Sequence, residues 1–206
     1  GIQGDGFCIA ASDSRISDVD NSSNLVSQFV SLKESNAKIA SNGRYLLGAA
    51  GDLRAINILH HSFQPPVAPA TLKGKKLDHF VTVKFIPALR EAFEVNGYAM
   101  PDKDDKDHIA EHASTVFMAI NGVIYIIGGD YSWISDSSGL FAIGTGAQYA
   151  LGSLYTQMPK TKITMNVAKK MALRAITVAA KFDPYTGAPY HTFSQGTEKT
   201  APTRAK

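Results

Sequence analysis

Gly4-Asp5-Gly6 separates Ile2-Gln3 from the unbroken apolar run Phe7-Cys8-Ile9-Ala10-Ala11, and this pairing restricts the fold more than any other stretch of the chain. Glycines around an aspartate between two extended segments are hairpin punctuation. A half-exposed strand alternates apolar with polar residues, whereas a run without alternation suits a strand covered on both faces. A hairpin whose second strand is buried twice over needs one layer above it and another below.

The rest of the chain supplies such layers. Lys38-Ile39-Ala40 and Tyr45-Leu46-Leu47 flank the turn Ser41-Asn42-Gly43, and apolar runs over 115–120 and 123–128 flank Asn121-Gly122; both read as hairpins. Further strands are expected over 140–143 and 190–194. Asp52 is placed to favour a helix N-terminus. The helix it opens, over 52–63, carries Leu53, Ile56, Leu59 and Phe63 inward and ends before Pro65, Pro66 and Pro69. A second helix over 77–96 turns Phe80, Val83, Leu89, Ala92 and Phe93 inward, with a kink or interruption at Pro87. Two more span 147–157 and 166–182, the last setting Lys170, Arg174 and Lys181 opposite Val167, Met171, Ala175 and Val178. Strands, two helices, strands, two helices and a strand make an α+β chain, a four-layer αββα sandwich with two antiparallel sheets between helix pairs. The reading is one domain over 1–206, with an inserted loop over about 17–37 (Asp18 to Asn24 as its clearest part) and a polar tail over about 195–206.

Charge and composition exclude several functions. The net charge of +3, from 21 basic and 18 acidic residues, is too weak a bias to argue for nucleic acid. Cys8 is the lone cysteine, which rules out an internal disulfide. No apolar run has membrane-spanning length, and no charged-then-apolar leader stands at the start. The expected setting is the cytoplasm, where the glycosylation pattern Asn21-Ser22-Ser23 is a chance match. The acidic segment 102–107 lacks the central glycine and closing glutamate of a calcium loop and reads as solvated. His60 and His61, adjacent on a helix, point apart; Gly144-Thr145-Gly146 lacks the third glycine of a dinucleotide loop; His191 has no serine or cysteine elbow to serve. No metal and no cofactor is expected.

Four polar segments at element ends remain: Ser12-Asp13-Ser14-Arg15; Lys38-Ile39; Gly48-Ala49-Ala50-Gly51-Asp52 together with Gly144-Thr145-Gly146; and Asp183-Pro184-Tyr185-Thr186-Gly187. Each alone has an ordinary explanation as a turn, a solvated lysine or a helix end. In this order they resemble the proteasome β/HslV family of N-terminal-nucleophile hydrolases. The resemblance runs from about Asp5 to Tyr190. It is strongest over Asp5-Gly6-Phe7-Cys8-Ile9-Ala10-Ala11-Ser12-Asp13-Ser14-Arg15, Leu47-Gly48-Ala49-Ala50-Gly51-Asp52 and Phe141-Ala142-Ile143-Gly144-Thr145-Gly146-Ala147-Gln148-Tyr149-Ala150.

The resemblance implies a threonine-type endopeptidase. Asp13 and Lys38 match the family's aspartate and lysine, Gly48 the glycine whose N–H forms the oxyanion hole, and Thr145, Asp183 and Thr186 the groups around the terminal amine. A threonine hydroxyl needs an adjacent base, and an N-terminal α-amine supplies one. An unperturbed α-amine titrates at about 7.7–8.0, and a neighbouring ammonium lowers it. Thr145 and Thr186 stand where the family has serines, and the interval from Asp13 to Lys38 is longer than the family's. Only twelve residues precede Asp13, which puts the family's threonine about four residues before Gly1. Ile16, Leu46 and Ala50 would line an apolar pocket for the side chain on the amino side of the cut. The implied partners are a homo-oligomeric ring, a polypeptide substrate and an ATP-dependent unfoldase, with no nucleic acid and no membrane. Two alternatives stay open, a catalytically inactive structural or assembly subunit of the same fold and a small-molecule amide hydrolase.

Overall fold

The computed structural model describes residues 1–20, 25–32, 37–99 and 111–197. The glycosylation pattern at 21–23, the acidic segment 102–107 and the tail beyond 197 lie outside the described residues. Strands β1 (Ile2–Gln3), β2 (Phe7–Ser12) and β10 (His191–Gly196) form one antiparallel sheet in the order β1-β2-β10. Strands β5 (Ile39–Asn42), β6 (Tyr45–Ala50), β7 (Thr115–Ile120), β8 (Val123–Ile127) and β9 (Trp133–Ile134) form the second, in sequence order. A separate ribbon pairs β3 (Arg15–Asp20) with β4 (Leu25–Ser31). The helices are α1 (Leu53–His61), α2 (Lys75–Phe80), α3 (Ile86–Val95), α4 (Ala147–Gln157) and α5 (Met165–Phe182).

Side-chain parity along the strands makes the layers. Phe7 and Ile9 of β2 point outward onto Leu154, Met171 and Ala175 of α4 and α5. Cys8 and Ala10 point the other way and pack between the sheets with Leu46, Phe117, Ala119 and Ile124. On the second sheet Leu47, Val116, Met118 and Tyr125 face Leu59, Leu77, Phe85 and Phe93 of the first helix layer. The order is therefore helices, sheet, sheet, helices, the expected αββα sandwich, and the apolar run at 7–11 is unbroken because β2 is covered twice. Fully burying such a side chain is worth about 1.5–3 kcal/mol. The hairpin at Asn121-Gly122 has positive φ at both residues, 53° and 78°, which is the type I′ turn that Asn-Gly favours.

Four local expectations need correction. Much of the stretch read as an inserted loop over about 17–37 belongs to the β3–β4 ribbon, whose two strands pair with each other and join neither main sheet. The strand expected over 140–143 is a single bridge, Leu140 to Ile2. The helix over 77–96 starts earlier, at Lys75, and its middle, Val81–Phe85, is π-helical just ahead of Pro87. Proline lacks the N–H and crowds the carbonyl four residues back, and the wider π turn absorbs that conflict. Val83, inside that π turn, is 43% exposed rather than inward, and Val81 and Phe85 are its buried residues. On α5 the buried stripe is Ala168, Met171, Ala172, Ala175 and Ala179, and Val167 at its margin is exposed.

Candidate active site

The ends of β2 and α5 are tied together around one carboxylate. Asp13 follows β2, and its Oδ1 accepts from Lys38 Nζ at 2.6 Å. Its Oδ2 accepts from the backbone N–H groups of Arg15 and Gly187, both at 3.0 Å. Ser14 N–H donates to the Gly187 carbonyl, and Arg15 Nη1 donates to the Pro184 carbonyl at 2.7 Å. Asp13 is thus held at three points and is 8% exposed, and it fixes the lysine that precedes β5.

A second carboxylate organises the other wall. Asp183 closes the C-terminus of α5, and its Oδ2 accepts from Thr145 Oγ1 at 2.7 Å and Thr186 Oγ1 at 2.6 Å. Its Oδ1 accepts from Tyr185 N–H at 3.2 Å. Burial alone would raise the Asp183 carboxyl, but these hydrogen bonds and the Lys38 charge outweigh it and hold the group below the usual carboxylate range.

Between these walls lies a cavity of about 610 Å³, opening between the two sheets. Asp13, Lys38, Gly48, Thr145 and Thr186 line it, as do Ile16 and Ala50 of the expected apolar pocket. Asp183 stands behind Thr145 and Thr186, 5% exposed. Leu46 does not line the cavity. It shares the inter-sheet face of Gly48 and Ala50 but lies deeper, packed with Cys8 and Phe117.

The sequence reading gave no role to two glycines that shape the site. A Cβ on Gly146 would come within 2.7 Å of Thr186 Oγ1 and 3.1 Å of Asp183 Oδ2, so only glycine lets that cluster close. Gly187 donates to Asp13 and lies against the Arg15 guanidinium. Their place beside Thr145 and Thr186 was visible in the sequence, but a close approach of backbone to a distant carboxylate was not.

The cavity also runs in line with β1. Gly1 exchanges two hydrogen bonds with Phe141, its nitrogen donating at 2.7 Å and its carbonyl accepting at 3.0 Å. Ile2 opposes Ile9 on one side and Leu140 on the other. Beyond Gly1 the cavity is flanked by Ala10 to Asp13 along one side and by Phe141 to Thr145 along the other. A Cβ on Gly1 would lie 2.8 Å from Phe117, so Gly1 faces the second sheet.

No family model matches the sequence, and no curated protein matches it. Solved structures do. Thiobacillus denitrificans BPH in complex with epoxomicin superposes with a TM-score of 0.70 at 19% identity, covering 96% of this chain and 97% of that one. A second Thiobacillus denitrificans BPH structure gives 0.65 at 17% identity, covering 97% of each. Eukaryotic HslV from Trypanosoma brucei gives 0.58 at 16% identity over 95% of this chain and 97% of that one. The chain has the HslV/proteasome-like N-terminal-nucleophile fold. Within this fold, Asp13 and Lys38 come from strand ends of different sheets, which is why they lie 25 residues apart in sequence yet in contact in space.

Proposed function

We propose that this chain is the body of a threonine-type endopeptidase whose nucleophile is an N-terminal threonine about four residues before Gly1. The observation that carries the reading is the register of the cavity. A strand continuing from Gly1 would place its successive residues opposite Ala11, Ser12, Asp13 and Ser14 on one side and Ala142, Ile143, Gly144 and Thr145 on the other. Side chains alternate along a strand, so the fourth residue back shares Gly1's face, toward Lys38 and Gly48. Three or five back would turn the side chain toward α4 and α5 instead. Within such a strand the Gly1 nitrogen is a peptide N–H, making the same bond to Phe141 with no charge to desolvate.

The chemistry then follows from the groups in place. The threonine Oγ attacks the scissile carbonyl carbon while its proton passes to its own α-amine. The Lys38 ammonium, oriented by Asp13, stabilises the developing alkoxide, and Gly48 N–H meets the oxyanion, an interaction worth about 3 kcal/mol in comparable sites. The C–N bond breaks as the amine returns the proton to the leaving peptide, and water hydrolyses the remaining ester. Thr145, Asp183 and Thr186 hold the amine and pass its proton. Ile16 and Ala50 favour an apolar side chain on the amino side of the cut. In this reading the substrate is a polypeptide, and the chain acts in the cytoplasm as a subunit of a homo-oligomeric ring fed by an ATP-dependent unfoldase. The likeness of the fold to HslV supports the ring; the unfoldase belongs to the proposal.

Intact mass and N-terminal sequence of the mature protein test the nucleophile, with fluorogenic peptide hydrolysis measured on the same sample. A threonine four residues before Gly1, and turnover lost in Lys38→Ala, are the expected results. A mature chain starting at Gly1 would leave the inactive-subunit reading, and unchanged turnover in the variant would refute the role assigned to Lys38.

A further inference from the structure

We propose that His60 is a positioning residue for the oxyanion hole, polarising through the Leu47 carbonyl the peptide that carries the Gly48 N–H. In the use it gives to Gly48 the inference rests on the peptidase reading; the polarised peptide itself does not.

His60 Nε2 lies 3.0 Å from the Leu47 carbonyl oxygen. A carbonyl only accepts, so the ring nitrogen donates and carries the proton there. Burial, with His61 beside it, outweighs the pull of this bond and lowers the His60 pKa. The ring is therefore neutral at neutral pH, and Nε2 holds its one proton. The carbonyl of Leu47 and the N–H of Gly48 are the two ends of one peptide group. Donation to the oxygen draws electron density toward that end and strengthens the N–H as a donor, by about 10–30% per bond in such chains. Gly48 lines the cavity and His60 does not, so the imidazole acts from behind β6 without meeting substrate.

The bond is not what seats the helix. Ala55, Ile56, Ile58 and Leu59 bury α1 in the core. Asn42 Nδ2 donates to the Leu59 and Phe63 carbonyls at 3.1 and 2.8 Å, which ties the end of α1 to β5. At its start Asp52 accepts from Arg54 N–H at 2.8 Å and donates its own N–H to Ser114 Oγ at 3.0 Å. His61 is exposed, with its ring at 80° to that of His60. The pair whose side chains point apart is thus one solvated ring and one committed to Leu47.

Labelling with carbonyl-13C leucine and 15N glycine isolates two peptides, because Leu-Gly occurs only at Leu47-Gly48 and Leu151-Gly152. In His60→Leu the Leu47 carbonyl carbon and the Gly48 nitrogen should both move upfield. In His60→Gln, whose amide can donate to the same oxygen, they should stay near wild type. Both substitutions remove the ring, so the loss of its ring current is common to them. The Leu151–Gly152 pair, within α4, should move in neither. On a fluorogenic peptide, kcat of the mature protein should fall roughly two- to eightfold in His60→Leu, which is 10–30% of a donor worth about 10²–10³ in rate. KM should change little, and His60→Gln should restore the rate. His60→Met takes the place of leucine should that variant fold poorly. A Leu47–Gly48 signal unmoved in His60→Leu, or moved alike by both substitutions, overturns the inference, as does an equal loss of kcat in both. A wild type without turnover counts against the peptidase reading alone, and the two shifts still decide whether His60 polarises the peptide.

Discussion

Asp183 accepts three hydrogen bonds that a neutral carboxyl would hold less well, and its folded pKa lies below its unfolded one. A depressed carboxyl adds stability above its unfolded value and loses it as pH falls through the folded value. Thermal melts from neutral to about pH 3 should therefore fall with acid in the wild type and fall less steeply in Asp183→Asn. Equal slopes would show that the three donors do not favour the charged form. Gly146→Ala should cost about 1–3 kcal/mol in urea denaturation, because its methyl group has no space beside Thr186 and Asp183. At this scale the polar side chains that meet at the cavity were legible as a group: Asp13, Lys38, Thr145, Asp183 and Thr186 carry donors or acceptors whose order along the chain is distinctive. Gly187, which serves through its backbone N–H, was not, because a peptide donor looks the same at every position.

Two glutamines join one sheet to the other. Gln195 of β10 accepts from the buried Gly122 N–H at 2.7 Å, and Gln3 of β1 accepts from Ile124 N–H at 3.0 Å. Gln195→Ala would strand the Gly122 N–H, and a loss of about 1–3 kcal/mol in chemical denaturation is expected. Gln195→Glu keeps an acceptor and should lose less; similar losses from both would argue that packing, not the hydrogen bond, matters there. The hairpins at 39–50 and 115–127 were legible because Asn-Gly turns and apolar runs are local signals. The β3–β4 ribbon was not, since a two-stranded ribbon outside the main sheets demands no apolar run. On α5 the apolar pattern favoured Val167 over alanines, yet Ala168, Ala172, Ala175 and Ala179 are what bring the helix close onto β2.

Across the whole molecule, the layer between the sheets serves both stability and the cleft. Phe117 packs in that layer and also lines the cavity. Phe117→Ala should cost about 3–5 kcal/mol and widen the cavity toward Gly1, readable by denaturation and by a crystal structure of the variant. A loss under about 1 kcal/mol would mean that the sheets close over the gap. The four-layer architecture was legible because a strand apolar on both sides admits few arrangements.

The two edges that flank Gly1 act as a ruler. If the preceding segment lies between them, its length is measured in steps of about 3.3 Å and its orientation in steps of two. Deleting one residue there would turn the terminal side chain from Lys38 to the helices. Deleting two would restore its direction but leave it about 6–7 Å short. Any processing that exposes the terminus would then be correct at one peptide bond only, and β1 would set that bond by its pairing with Ile9 and Leu140.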